Sequence, residues 1–300
     1  MGEDDVGIFQ GTTVELDKPV VITMVQTLLA KQKSGMKEWY DKIKNAGFNL
    51  VYYDECHASS SGPKYALSSL FLNTRNIIGW SATPYAHGIN NILLSNCIGK
   101  IIYSAKEYET TPEVNFIEYD SGLGHKHNYR ISKSKDYVKM IAFYNSIIYK
   151  SQAYLDKIYE IAFNLEKKGH ATLIIASTLK QVDAIVENLN SNGLNAIPFH
   201  ASERKLNKEK DRLLVGTAKF ISKGFDMDEL SALIYATPLK GKISLIQTIG
   251  RILRRKEGKL KPCVYDLIDT GFGNQFTGTI LTKKTILKNE FGKDLKVNTL

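Results

Sequence analysis

Asp54, Glu55 and His57 follow directly on the apolar run Leu50-Val51-Tyr52-Tyr53, an order that predicts a buried strand emptying into a polar site. Strand ends of this kind are where open α/β sheets bind ligands. An aspartate there can hold Mg²⁺ on a triphosphate, and its neighbour can orient an attacking water, so the chemistry that fits is nucleotide hydrolysis. Two adjacent carboxylates repel, which calls for a cation beside them. Far along the chain stands a second reactive stretch, Gln247-Thr248-Ile249-Gly250-Arg251-Ile252-Leu253-Arg254. Its spacing predicts Arg251 and Arg254 on one helical face, where a guanidinium can neutralise charge building on a transferring phosphoryl group. A plainer reading is an amphipathic basic helix opened by the capping box Ser244-x-x-Gln247. That cap accounts for the serine and the glutamine but not for the Gly250-Arg251 pair.

These stretches resemble the motifs of one family. Asp54-Glu55-Cys56-His57 is similar to the Walker B motif of the superfamily 2 (DEAD/DEAH-box) helicases in its DExH form. Ser81-Ala82-Thr83-Pro84 resembles their S-A-T motif. Val215-Gly216-Thr217 followed by Ser222-Lys223-Gly224-Phe225-Asp226 resembles the fifth motif, and Q-x-x-G-R-x-x-R at Gln247–Arg254 the sixth. All occur in family order over residues 20–270, and the flavour is that of the compact DExH motors of phages and large DNA viruses.

The resemblance implies two RecA-like α/β domains facing each other, with ATP and Mg²⁺ between them. It implies Asp54 on the metal, Glu55 orienting water, and Arg251 and Arg254 on the γ-phosphate. Gln247 and His57 would couple the cleft, Gly224, Asp226 and Gly250 would line the nucleotide, and Ser81 and Thr83 would relay closure. A nucleic-acid strand, DNA more than RNA, would be met by Thr23, Gln26, Ser177 and Thr217 through phosphates. Thr23-x-x-Gln26 also reads, on its own spacing, as a capping box for the next helix.

One family element is missing. A Walker A loop, G-x-x-x-x-G-K-[ST], cradles phosphates on backbone N–H groups and a lysine. The pairs Gly99-Lys100, Gly241-Lys242, Gly258-Lys259 and Gly292-Lys293 lack both the following Ser or Thr and the earlier glycine. The expectation is an N-terminally truncated first domain with exposed strand edges, completed by a Walker A segment on another chain, and almost no ATP turnover by this chain alone. The alternative is a non-catalytic nucleic-acid-binding or regulatory module that keeps the helicase fold. A third possibility is the motor half of a restriction enzyme, although no complete nuclease site is visible.

Bulk properties agree with a motor. Three hundred residues with 43% hydrophobic and 24% charged content describe a globular chain of about two domains. Net charge +9 favours an anionic partner such as nucleic acid, and equally fits a lysine-rich surface. Cys56, Cys97 and Cys263 form no C-x-x-C pair, so neither a zinc site nor a disulfide framework is suggested. His125 and His127 lack further ligands nearby and read as a solvated basic loop. With an acidic start and no long apolar run, the expected location is cytoplasmic, the host cytoplasm for a phage or viral protein.

Strands are expected at Pro19–Met24, Leu50–Tyr53, Asn76–Trp80, Ile98–Tyr103, Val114–Tyr119, Thr172–Ala176, Asn195–His200, Leu213–Thr217 and Cys263–Ile268. Helices are expected around Met36–Ile43, Tyr65–Leu72, Tyr154–Leu165 and Val182–Leu189, with left-handed caps at Gly47, Gly169 and Gly193. The expected division is 1–112 for the partial first domain, 113–282 for the second, and 283–300 for a basic terminal helix or tail.

Overall fold

A computed structural model describes residues 2–56, 72, 74, 76–81, 89–104, 108, 110–124, 137–199, 210–218, 227–238 and 241–300. The helix expected at Tyr65–Leu72 and the His125/His127 loop lie almost wholly outside them. The chain divides into two units, Met1–Lys106 and Glu107–Leu300.

In the first unit, β1 (Val6–Gln10) pairs antiparallel with β2 (Thr13–Val14) and parallel with β3 (Val20–Thr23). Helix α1 (Val25–Asn45) follows, with a break in its helical backbone at Gly35. Its Leu28 and Ile43 pack with Phe9, while Trp39 stacks on Phe9 at 5.5 Å. Gly47 then turns the chain with φ 73°, where a side chain would be strained. A separate parallel pair is formed by β4 (Leu50–Tyr53) and β5 (Asn76–Gly79), with α2 at Ile89–Cys97.

Two expectations fail in this unit. Thr23 does not cap α1: Met24 is the N-cap without a side-chain bond, and Thr23 Oγ1 instead donates to the carbonyl of Phe9 at 2.8 Å. Residues 98–103 form no strand. Ile98 turns inward beside Tyr53 and Cys56, while Ile101, Ile102 and Tyr103 lie exposed.

The second unit is one seven-stranded sheet in the order β12-β6-β11-β10-β7-β9-β8. Its strands are β6 (Glu113–Tyr119), β7 (Ala171–Ala176), β8 (Ala196–Phe199), β9 (Leu213–Thr217), β10 (Leu230–Tyr235), β11 (Cys263–Asp269) and β12 (Val297–Thr299). Every neighbouring pair is parallel. Parallel sheets need cover on both faces, which is why these strands read as unbroken apolar runs. Cover comes from helices α3 (Tyr137–Ile147), α4 (Gln152–Lys167), α5 (Leu179–Ser191), α6 (Lys242–Ile252), α7 (Asn274–Thr277) and α8 (Thr279–Phe291). Ser151 and Thr178 cap α4 and α5 by accepting from Tyr154 N and Gln181 N, and Gly169 and Gly193 close them at positive φ, as expected.

Strand β6 is nearly all buried and lies between β11 and β12 in the sheet. The segment 283–300 is not a tail. Lys283, Leu287 and Phe291 of α8 are buried, and β12 adds an outer strand to the sheet. Lys283 Nζ lies 2.5 Å from Asp266 Oδ2, a pair with both side chains under 5% exposed.

Candidate functional site

The residue pattern of the acidic box is decided by Cys56. The β4–β5 pairing continues past the strands, with Cys56 N donating to Trp80 O at 2.9 Å and Trp80 N to Tyr53 O at 2.8 Å. Cys56 is buried against Gly79, where a Cβ would stand 2.9 Å from its sulfur. Turning the thiol inward leaves Asp54 and Glu55 exposed at the strand end, close in the ladder to Ser81. Glu55 has φ 47°, a left-handed turn unusual for a glutamate, and its N–H is held by Asp54 Oδ1 at 2.9 Å. Burial pushes the Cys56 thiol above its ordinary value, with the two carboxylates adding to the effect.

That geometry suits a hard cation. Asp54 presents an exposed carboxylate with one oxygen satisfied by a backbone N–H and lone pairs to spare, the donor type that Mg²⁺ takes. Asp54 would hold the metal, which would supply charge neutralisation for a phosphoryl group. His57 and Thr83 lie outside the described residues, as do Gly224 and Asp226.

Helix α6 carries Gln247, Gly250 and Arg251, each partly buried, with Arg251 in its last turn. The helix ends at Ile252 and caps at Leu253, so Arg254 stands beyond it and does not share a helical face with Arg251. Arg254 is exposed and lies 3.7 Å from Asp228, while Lys259 donates to its carbonyl at 2.7 Å. Ser244 is inside the helix and not its cap: Gly241 is the N-cap without a side-chain bond, and Thr248 Oγ1 donates to Ser244 O at 2.6 Å. Among the described residues nothing lies within 4 Å of a Cβ placed on Gly250, so none of them makes the close backbone approach that would call for a glycine.

A third cluster occupies the carboxyl ends of β7, β9 and β10, which the register brings level: Ala176 opposite Thr217, and Ile175 opposite Tyr235. Thr217 is buried and Ser177 exposed. Ser177 Oγ is 2.9 Å from Asn145 Nδ2 and 2.8 Å from Thr237 Oγ1, and Thr237 Oγ1 is 3.0 Å from Asn145 Oδ1. Gln181 closes the group, accepting from Ser177 N at 2.8 Å and donating to Asn145 O at 3.0 Å. Asn145, Gln181 and Thr237 are buried, and Tyr154 Oη ties α4 to Ala236 O at 2.7 Å. Of this cluster the sequence pointed to Ser177 and Thr217. Thr178-x-x-Gln181 has capping-box spacing, and Thr237 ends the apolar run Leu230–Tyr235 as Ser81 ends its own, so both left a signal. Asn145, on α3, left none.

No protein-family model matches the chain. It is 24% identical over 275 residues to "Putative helicase 22" of Sulfolobus islandicus filamentous virus, covering 84% of this chain and 48% of that protein. It is 23% identical over 281 residues to "Probable helicase D10" of Escherichia phage T5, covering 88% of this chain and 57% of that one. The chain is thus similar to viral and phage proteins named as helicases. It spans about half the length of these two helicases. In fold it is similar to S. cerevisiae Dbp5 bound to RNA and ADP BeF3, with TM-score 0.61 at 10% identity, covering all of this chain and 71% of that one. The all-parallel sheet of the second unit has the RecA-like α/β fold. Among the described residues no helix is long and apolar enough to cross a membrane.

Proposed function

We propose that this chain is part of an ATP-dependent nucleic-acid helicase or translocase acting in the cytoplasm of the infected host. Asp54 binds Mg²⁺ and Glu55 orients the attacking water. Arg251 and Arg254 neutralise the γ-phosphate, and Ser177, Thr217, Thr23 and Gln26 meet the strand. Thr23 and Ser177 both have hydroxyls engaged within the protein, which favours a role in which backbone and lone pairs face the strand. The Arg254–Asp228 pair is solvent-exposed and therefore weak, so the guanidinium can leave it for a phosphate.

The phosphate cradle is supplied by a segment outside these 300 residues. The observation that carries this is the pairing of β4 with β5. Among the described residues they are a parallel pair, and two strands alone make a marginal sheet. Leu50, Tyr52 and Trp80 are exposed on or beside them, where parallel strands ordinarily have cover on both faces.

The test is ATP hydrolysis by the purified chain with and without single-stranded and branched nucleic acid, then with an added N-terminal fragment carrying a Walker A loop. Almost no turnover is expected alone, and strand-stimulated turnover in the mixture that Arg251→Ala abolishes. A mixture that stays inactive, or activity indifferent to Arg251→Ala, overturns the motor reading.

A further inference from the structure

Resting on the nucleic-acid reading above, the geometry points to Ser177 as a hydrogen-bond acceptor that takes a ribose 2′-hydroxyl from the bound strand, in place of the phosphate contact expected from sequence. The backbone decides this, one group at a time. Gln181 Oε1 accepts the Ser177 N–H and Gln181 Nε2 donates to the Asn145 carbonyl, so two main-chain groups permit one orientation of that amide. The same Nε2 lies 3.3 Å from the Asn145 side-chain oxygen. Asn145 must therefore present Oδ1 to Gln181 and Nδ2 to Ser177 Oγ, since the reverse would set N–H against N–H.

Thr237 Oγ1, also beside Asn145 Oδ1, can only donate to it. A threonine hydroxyl has one proton, so the 2.8 Å bond between Ser177 and Thr237 is donated by Ser177. Each of these contacts is then a matched donor and acceptor, as buried polar groups require.

Ser177, an exposed residue, has thereby spent its proton inward, and the lone pair left on its Oγ is what it has to offer. A phosphodiester oxygen has no proton to give and would meet that lone pair with repulsion. A 2′-hydroxyl can donate, recurs at every nucleotide whatever the base, and is the group that separates RNA from DNA. Asn145 and Thr237 act here as positioning residues, setting which way the serine proton points.

The experiment is an anisotropy titration of the full chain with dye-labelled oligo-U and oligo-dU of equal length, which differ only in the 2′-hydroxyl. Oligo-U is expected to bind about three- to tenfold more tightly, the worth of one hydrogen bond. Ser177→Ala is expected to bring oligo-U down to the oligo-dU level. Thr237→Val, near in shape, returns the serine proton to the outside and is expected to narrow the margin by strengthening oligo-dU. Equal affinity of the wild type for the two strands, or Ser177→Ala weakening both alike, overturns the acceptor assignment. Binding of neither strand overturns the nucleic-acid reading beneath it. Because Ser177 is at the surface, its variant keeps the test open if Thr237→Val does not fold.

Discussion

The two units are built from the same kind of element and reach different degrees of closure. In Glu107–Leu300, seven parallel strands share one sheet whose central residues are fully buried. In Met1–Lys106, the described strands fall into a set of three and a set of two, each beside a small cluster, around Phe9, Leu28 and Ile43 or around Tyr53, Cys56 and Leu94. Among the described residues, eleven large apolar ones are exposed in the first unit against six in the second. The difference teaches that a parallel strand is a commitment to neighbours. Without cover on both faces its apolar side chains stay in water, and the free energy of their burial, about 25 cal/mol per Å², is not realised.

The comparison breaks most sharply at the buried ion pair of the closed unit. Lys283→Ala leaves Asp266 charged and buried without a partner, its Oδ1 already lacking a hydrogen bond, and is expected to cost about 3–5 kcal/mol. Burial raises the Asp266 carboxyl above the usual carboxylate range even with Lys283 beside it. Replacing both residues by apolar ones of similar volume should therefore recover most of the loss in a denaturant titration.

Next in size is Gly79→Ala in the open unit. The new methyl would stand 2.8 Å from Ile98 Cγ2 and 2.9 Å from Cys56 Sγ. Overpacking of this kind costs about 1–3 kcal/mol. Hydrogen exchange should show the loss confined to the β4–β5 pair; a global loss would mean that the two units do not fold independently.

A smaller effect separates the units by pH. Burial holds His170 below its ordinary value of 6.5, with Lys168 and Arg212 pushing the same way. The folded second unit therefore prefers neutral imidazole. Its stabilising contribution is full above pH 6.5 and is lost as pH falls below 6.5 and through the depressed folded value. Thermal unfolding of His170→Asn should show a flatter pH dependence there, and an unchanged slope would exclude His170 as its source.

Smallest of all, Tyr52→Thr should change stability by less than about 0.5 kcal/mol, because the ring is already 59% exposed. The same substitution should weaken assembly with the N-terminal fragment, which would sharpen the contrast between a face that is idle alone and one that is needed in the whole motor.

The parallel α/β character, most of the strands and the three glycine caps were legible because local signals carry them: apolar runs, helical spacing, and positive φ at Gly47, Gly169 and Gly193. Strand β10 had its signal in Leu230–Tyr235 but was passed over, and α3 had little periodicity to notice. Capping boxes misled twice. Spacing says which side chain can reach an N–H, while Thr23 and Ser244 show that the helix start itself is set by packing.

The sequence by itself determined the order of the reactive residues and the family they resemble, since Asp54, Glu55, Gln247 and Arg251 are each recognised by type and spacing along the chain. Only the tertiary structure decided how those residues are held. It took Arg254 off the helix, drew Lys283 into the core, and joined Asn145, Ser177, Gln181 and Thr237 into one proton-ordered group. Those outcomes depend on contacts between strands and helices distant in sequence, where one buried donor must find one acceptor, and no local pattern records that match.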